Sequence, residues 1–367
     1  MPDARTQGLA RVLVDYSLNV QPGQLVVIAA TPLAAPLIRE VARRVLVAGG
    51  HPLLQLQLPG MAEIMFRNAS DDQLRYITPA ERTFREQADA TLYILSDANT
   101  KELSAINPAR QRLAQQARTE LFETFMRRSA EGSLNWCITL YPTEAYAQDA
   151  EMSLADYEDF VYGAALVEHA DPVAEWRARA QQQQRLIDWL RGKREIRVEA
   201  PGTELQFSIA GRTWENDDGR KNLPGGEIFT GPVESSVNGH VTFSFPSSVG
   251  GREVEGIQLW FEQGQVVKAT AEKNEEYLHQ MLETDPGARR LGEFAFGTNY
   301  AIGLFTGEIL FDEKIGGTMH MAIGSGYPET GSQNKSAVHW DMICDLRKSS
   351  TVHVDGQLFM QDGQFTV

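Results

Sequence analysis

The sequence predicts an α/β N-terminal domain built on a mostly parallel sheet, followed by a β-rich α+β C-terminal domain. Three observations lead there. Up to about Leu190, short apolar runs alternate with amphipathic helical stretches. After Lys193, hairpin patterns take over. Near the C-terminus, two strand-like segments set histidine or aspartate on an otherwise core-like background. The expected domains are residues 1–192, a scaffold and substrate-access domain, and residues 193–367, the metal-binding one.

In the first domain, Gln24 to Ala30 is a continuous apolar run, as a strand buried on both faces should be. Leu37 to Val47 has helical spacing and stops at Gly49-Gly50. Further strands are expected at Pro52–Leu58, Ala90–Leu95 and Leu134–Leu140, with helices between them, including Asn107–Arg128. That rhythm implies a parallel sheet covered by helices. Ser153 to Leu190 reads as long helices leading out of the domain. The first strand-to-helix turn, Thr31 to Pro36, lacks the glycines that let backbone amides approach a pyrophosphate, so a scaffold is expected rather than a nucleotide site.

In the second domain, hairpins are expected at Glu195–Ala210, Gly256–Ala269 and Val352–Phe365, turning at Pro201-Gly202-Thr203, Gln263-Gly264-Gln265 and Gln361-Asp362-Gly363. One helix, about Lys273 to Glu283, interrupts them.

Composition narrows the function. The 367 residues are 42% hydrophobic and 23% charged, as in an ordinary globular protein, and the net charge of -15 disfavours nucleic acid or an anionic membrane as partner. No stretch is apolar enough to span a bilayer, and no signal peptide is expected at the N-terminus. Two cysteines, Cys137 and Cys344, in apolar surroundings suit buried thiols in a reducing compartment. A cytoplasmic protein is expected.

Side chains of a strand alternate between faces. In Val338 to Cys344, His339 and Asp341 therefore share one face, while Trp340, Met342 and Cys344 line the other. In Thr318 to Ile323, His320 shares its face with Ala322, opposite Met319, Met321 and Ile323. A polar side chain on a core-like strand is costly without a partner, and a divalent cation would serve all three. Glu293 shares its face with Ala295 and Gly297, which leaves room beside it, and Glu227 follows Gly225-Gly226 into an apolar run. Taken singly, Glu227 reads more readily as an exposed turn glutamate, and Glu293 by itself reads either way. The remaining histidines have no such company. Neither a Cys-x-x-Cys pair nor a Gly-x-Ser-x-Gly elbow occurs.

These residues carry a resemblance. Asn222–Phe229, Gly292–Asn299, Asp312-Glu313-Lys314, Gly317–Gly324, Tyr327–Asn334 and His339–Asp345 resemble the aminopeptidase T and aminopeptidase S family of metallopeptidases. The resemblance covers the whole chain, weakly in the N-terminal domain. It implies two divalent metal ions (zinc, cobalt or manganese) held by Glu227, Glu293, His320, His339 and Asp341, with Glu293 bridging. It further implies Glu313 as general base, Tyr327 as hydrogen-bond donor to the oxyanion, short peptides as substrates and a homodimer. Read from the residues alone, Glu313 could equally start a helix and Tyr327 pack. The segment between Glu313 and His320 looks about two residues longer than in better-known members, which puts the reach of Glu313 in doubt. The loop between His320 and His339 looks shorter. The rival reading is a ring-cleaving dioxygenase of the same fold, with one ferrous ion on His320, His339 and Asp341. In those enzymes the position of Glu293 looks like a histidine and that of Glu227 is lost, so both glutamates favour hydrolysis.

Overall fold

The computed structural model describes residues 3–249 and 251–367. The chain forms two compact units. One runs to Trp176 and takes in Gly219–Pro224; the other comprises Arg177–Asp218 and Gly225–Val367.

The first unit has a five-stranded sheet in the order His51–Leu56, Leu25–Ala30, Ala90–Leu95, Asn135–Leu140, Asn222–Leu223, and every pairing is parallel. Parallel strands bury both faces, which is why Val26, Val27 and Ile28 are all buried in succession. The helix Ala35–Val47 turns Leu37, Ile38, Val41 and Val45 inward, a stripe of helical period. The chain leaves it at Gly49, whose φ of 81° suits glycine. The expected helical stretch Asn107–Arg128 holds two helices, Pro108–Ala117 and Thr119–Ala130. At the junction the Arg118 guanidinium donates to Glu81 and to the carbonyls of Leu74 and Ala114.

Besides the two-stranded ribbon Ser247–Val249/Arg252–Val254, the second unit contains two larger antiparallel sheets. The larger has eight strands and includes the expected hairpins Glu195–Ala200/Thr203–Ser208 and Gln258–Glu262/Gln265–Thr270. The third expected hairpin turns at Asp362-Gly363 between Gln357–Gln361 and Gln364–Phe365 as expected, but Thr351–Val354 pairs ahead of it, which makes a three-stranded meander. Its first turn, Asp355-Gly356, has φ of 49° and 76°, so Asp-Gly supplied a turn signal that the expected register overlooked. The helix Glu275–Leu282 lies within its expected span.

The smaller sheet runs in the order His339–Asp345, Thr318–Gly324, Leu291–Gly297, Glu227–Thr230, Glu215–Asp217. One face presents Phe294, Phe296, Met319, Met321, Trp340 and Met342 to a shared core with Leu205, Phe207, Val241 and Phe359 of the larger sheet. Phe207 meets Phe294 with ring centroids 4.7 Å apart, and Phe296 meets Phe359 at 5.4 Å. Each such aromatic contributes about 1.5–3 kcal/mol on burial. That fixes which residues of the same strands point the other way.

Candidate metal centre

The register of the smaller sheet assembles the opposite face. Gly297 pairs with Glu227, Glu293 with Ala322, and Ala322 with Asp341. His320 lies across from Ala295, and His339 across from Gly324. Small residues thus floor the site between its ionisable ones. A bulge between Leu291 and Glu293 lets Leu291 join the core while Glu293, two residues on, joins the site face.

The five residues expected to bind metal converge. His320 Nε2 lies 3.2 Å from Glu227 Oε2 and 3.7 Å from Glu293 Oε1. His339 Nε2 lies 3.3 Å from Glu293 Oε2 and 3.4 Å from Asp341 Oδ2. Glu293 therefore turns one oxygen to each histidine. Two donor groups result, Glu227/Glu293/His320 and Glu293/His339/Asp341, each with donor atoms within 4.8 Å of one another. Glu227, Glu293 and His320 are buried, while His339 and Asp341 keep partial access to solvent.

Both imidazoles are oriented by backbone carbonyls. His320 Nδ1 is 2.9 Å from the carbonyl oxygen of Glu313, and His339 Nδ1 is 2.8 Å from that of Ser325. A carbonyl only accepts, so Nδ1 carries the proton in each ring and Nε2 is turned toward the carboxylates as a donor atom for a cation.

Electrostatics point the same way. Burial pushes the Glu227 carboxyl well above its usual range, against the pull of Lys314 and His320. Burial would lower the His320 imidazole, but Glu227 and Glu293 outweigh it and push it up to about 10. His339 is pushed up to about 11 because Asp341 and Glu293 likewise outweigh burial. For Asp341 burial is outweighed by His339, and its carboxyl is lowered. The site thus draws a positive charge to each Nε2, where a proton and a metal ion compete. Glu227 Oε2 and Asp341 Oδ1 are buried and accept no hydrogen bond from any described residue. Orphaned carboxylate oxygens beside imidazole nitrogens fit hard or borderline divalent cations.

Glu313 reaches this site. A carboxylate oxygen of Glu313 lies within 4.8 Å of donor atoms of His320 and Asp341. Tyr327 stands at the rim, edge-on to Phe229 at 5.5 Å and to His339 at 5.2 Å. Burial of its hydroxyl and the carboxylates of Glu293 and Asp341 raise the Tyr327 phenol, so it stays protonated.

Two residues of this site have no counterpart among the sequence candidates. Lys314 is fully buried, with Nζ 3.6 Å from Asp217 Oδ2 and 3.7 Å from Glu227 Oε1, and it is also paired with Glu313. Asp217 enters from a three-residue strand paired with Glu227. The run Asp312-Glu313-Lys314 ahead of two glycines is the only local signal for Lys314. Asp217 has none, because its role depends on a strand pairing.

Residues 3–365 match the family of thermophilic metalloproteases (M29). The chain is 30% identical to Aminopeptidase T of Thermus aquaticus over 406 residues, covering 98% of this chain and 97% of that protein. It superposes on the structure of wild-type AmpT from Thermus thermophilus with a TM-score of 0.86 at 28% identity, covering 99% of both chains. A 2,5-dihydroxypyridine dioxygenase from Pseudomonas putida KT2440 superposes with a TM-score of 0.58 at 14% identity, over 99% of this chain and 97% of that one. That likeness shows a shared fold alone.

Proposed function

The chain belongs to the thermophilic metalloprotease (M29) family, and from that premise we propose that it is a metallo-aminopeptidase removing N-terminal residues from short peptides at a dinuclear site. The observation that carries the reading is Glu293, whose two oxygens face two different histidines as a bridging carboxylate would. Charge supports it too. Five carboxylates gather here (Asp217, Glu227, Glu293, Glu313 and Asp341), Lys314 offsets one, and two divalent ions would balance the other four. A single ferrous ion on His320, His339 and Asp341 would leave Glu227 and Glu293 buried with little countercharge.

Glu227 and His320 would hold one ion, His339 and Asp341 the other, with Glu293 between them. Bound there, zinc, cobalt or manganese would polarise the scissile carbonyl and lower the pKa of a water molecule toward neutrality. Glu313 takes the proton of the attacking water and passes it to the leaving amine. Tyr327, protonated and at the rim, donates a hydrogen bond to the carbonyl oxygen as negative charge develops on it.

The assembly we infer is a homodimer. Leu54, Leu56, Leu58, Met61, Ile64 and Met65 are all at least 43% exposed within twelve residues of chain, an apolar stretch that a second copy would cover. Two free, buried cysteines support a reducing, cytoplasmic setting. No helix among the described residues is long and apolar enough to cross a membrane.

The decisive measurement is metal analysis of purified protein alongside hydrolysis of a panel of aminoacyl amides. The expected result is two equivalents of metal and release of N-terminal amino acids. One equivalent of iron with opening of a dihydroxypyridine ring, and no amide hydrolysis, would overturn the reading.

A further inference from the structure

We propose that Lys314 is a positioning residue that keeps Glu313 available as a base by holding it off the metal ions. The inference rests on the reading of Glu313 as the base of a hydrolytic site. Its backbone is placed with little freedom. Asn299 N–H donates to the Lys314 carbonyl (3.1 Å), Gly316 N–H to that of Asn299 (3.0 Å), and Gly317 N–H to that of Gly297 (3.1 Å). The approach is close enough that a Cβ on Gly297 would lie 2.0 Å from the Ile315 carbonyl oxygen, so only glycine serves there. The connection between Glu313 and His320 is therefore not a loose loop. It is stitched to the end of the strand carrying Glu293, and it turns the Lys314 side chain inward.

A buried ammonium persists only among countercharges. Lys314 has three: Asp217, Glu227 and Glu313. Glu227 meets Lys314 through Oε1 and has Oε2 free to serve as a ligand, whereas for Glu313 the ammonium and the cation site are alternatives. Glu313 shares a donor group with His320 and Asp341 and is thus within reach of a cation bound there. A carboxylate drawn onto the metals becomes a ligand, and two adjacent dications make it a poorer acceptor for the water proton than one ammonium does. Lys314 supplies a competing cation from within the protein, and Asp217 helps keep that ammonium in place. The roles of Glu313 as base or ligand are thereby decided by its sequence neighbour.

The test uses the full-length protein, with Co(II) as probe and a leucyl amide as substrate. Lys314→Met removes the charge at similar volume. The expected result is a fall in kcat of about 10–100-fold with KM little changed, the scale for a supporting partner of a metal site. Competition against a chelator should show Co(II) bound more tightly, and the visible Co(II) spectrum should shift as a further ligand joins. In a Glu313→Gln background, Lys314→Met should neither lower kcat further nor change the spectrum. Independent, multiplying losses in the double variant, or a spectral change that survives Glu313→Gln, would overturn the proposal. Should Lys314→Met fold poorly, pairing it with Asp217→Asn removes the stranded charge, and the same outcomes apply. The spectral arm needs no turnover, so a protein that fails to hydrolyse amides would defeat the aminopeptidase reading while Lys314 is still judged.

Discussion

The two faces of the smaller sheet of the second unit use the same strands and differ in almost everything else. Every residue of Leu291–Gly297 and Thr318–Gly324 is buried, whichever way it points. On the core face, Phe294, Phe296, Met319 and Met321 are complete once packed, because hydrocarbon needs only neighbours. On the other, Glu227, Glu293, His320 and Asp341 have one another, and their orphaned oxygens need a cation the chain does not contain. One face is finished by folding and the other by binding. Folding stability and metal occupancy should therefore separate by face, and substitutions can break or sharpen that division.

The largest effect is expected on the site face. On the dinuclear reading proposed above, Glu293→Gln should reduce aminopeptidase turnover to background and lower bound metal from two equivalents toward one, since an amide cannot supply the charge that two cations would share. Circular dichroism should remain that of the folded protein. Near-normal turnover with two metals retained would show that Glu293 does not bridge. On the core face, Phe294→Ala should lower unfolding free energy by about 3–5 kcal/mol through lost transfer and an unfilled cavity. Metal stoichiometry of the folded fraction should be unchanged. Loss of metal at the same time would mean that the two faces are not independent.

The smallest effect tests a carboxylate with partners of its own. Glu234 accepts from the Arg212 guanidinium at 2.6 Å and from the N–H of Gln333 at 2.7 Å. Partial burial would raise its carboxyl, but these donors outweigh it and the pKa is lowered. A carboxyl with a depressed folded pKa adds stability above its unfolded value of about 4.3, and that stability is lost as pH falls through the folded value. Glu234→Gln should thus cost about 1 kcal/mol at pH 7, limited by solvent screening. In urea titrations the gap from the parent protein should close below about pH 4, and chelators should leave it unaltered. A gap that widens in acid would reverse the sign of the argument.

Strand alternation made much of this legible. Period-two patterning told which of Phe294, Glu293, His320 and Met321 share a face, because the pleat imposes that period whatever the partner strand. The bulge at Gly292 was not legible. By strict alternation Leu291 belongs with Glu293, and only pairing with Ile323 shows that it joins the core. The break at Arg118 was hidden for a similar reason, since its anchors, Glu81 and the Leu74 carbonyl, lie far back in the chain.

Local pattern by itself determined the strand and helix types, the face of each candidate ligand and, through the resemblance, the family. Tertiary structure alone decided that Glu293 turns an oxygen to each histidine, that Glu313 reaches the site, and that Lys314 and Asp217 belong to it. The physical reason is range. Side-chain direction along a strand follows from backbone geometry within two residues, whereas a buried charge is tolerable only if partners arrive from elsewhere. Asp217, Glu227 and Lys314 are brought within 4 Å by strand pairing and backbone hydrogen bonds across nearly a hundred residues of chain.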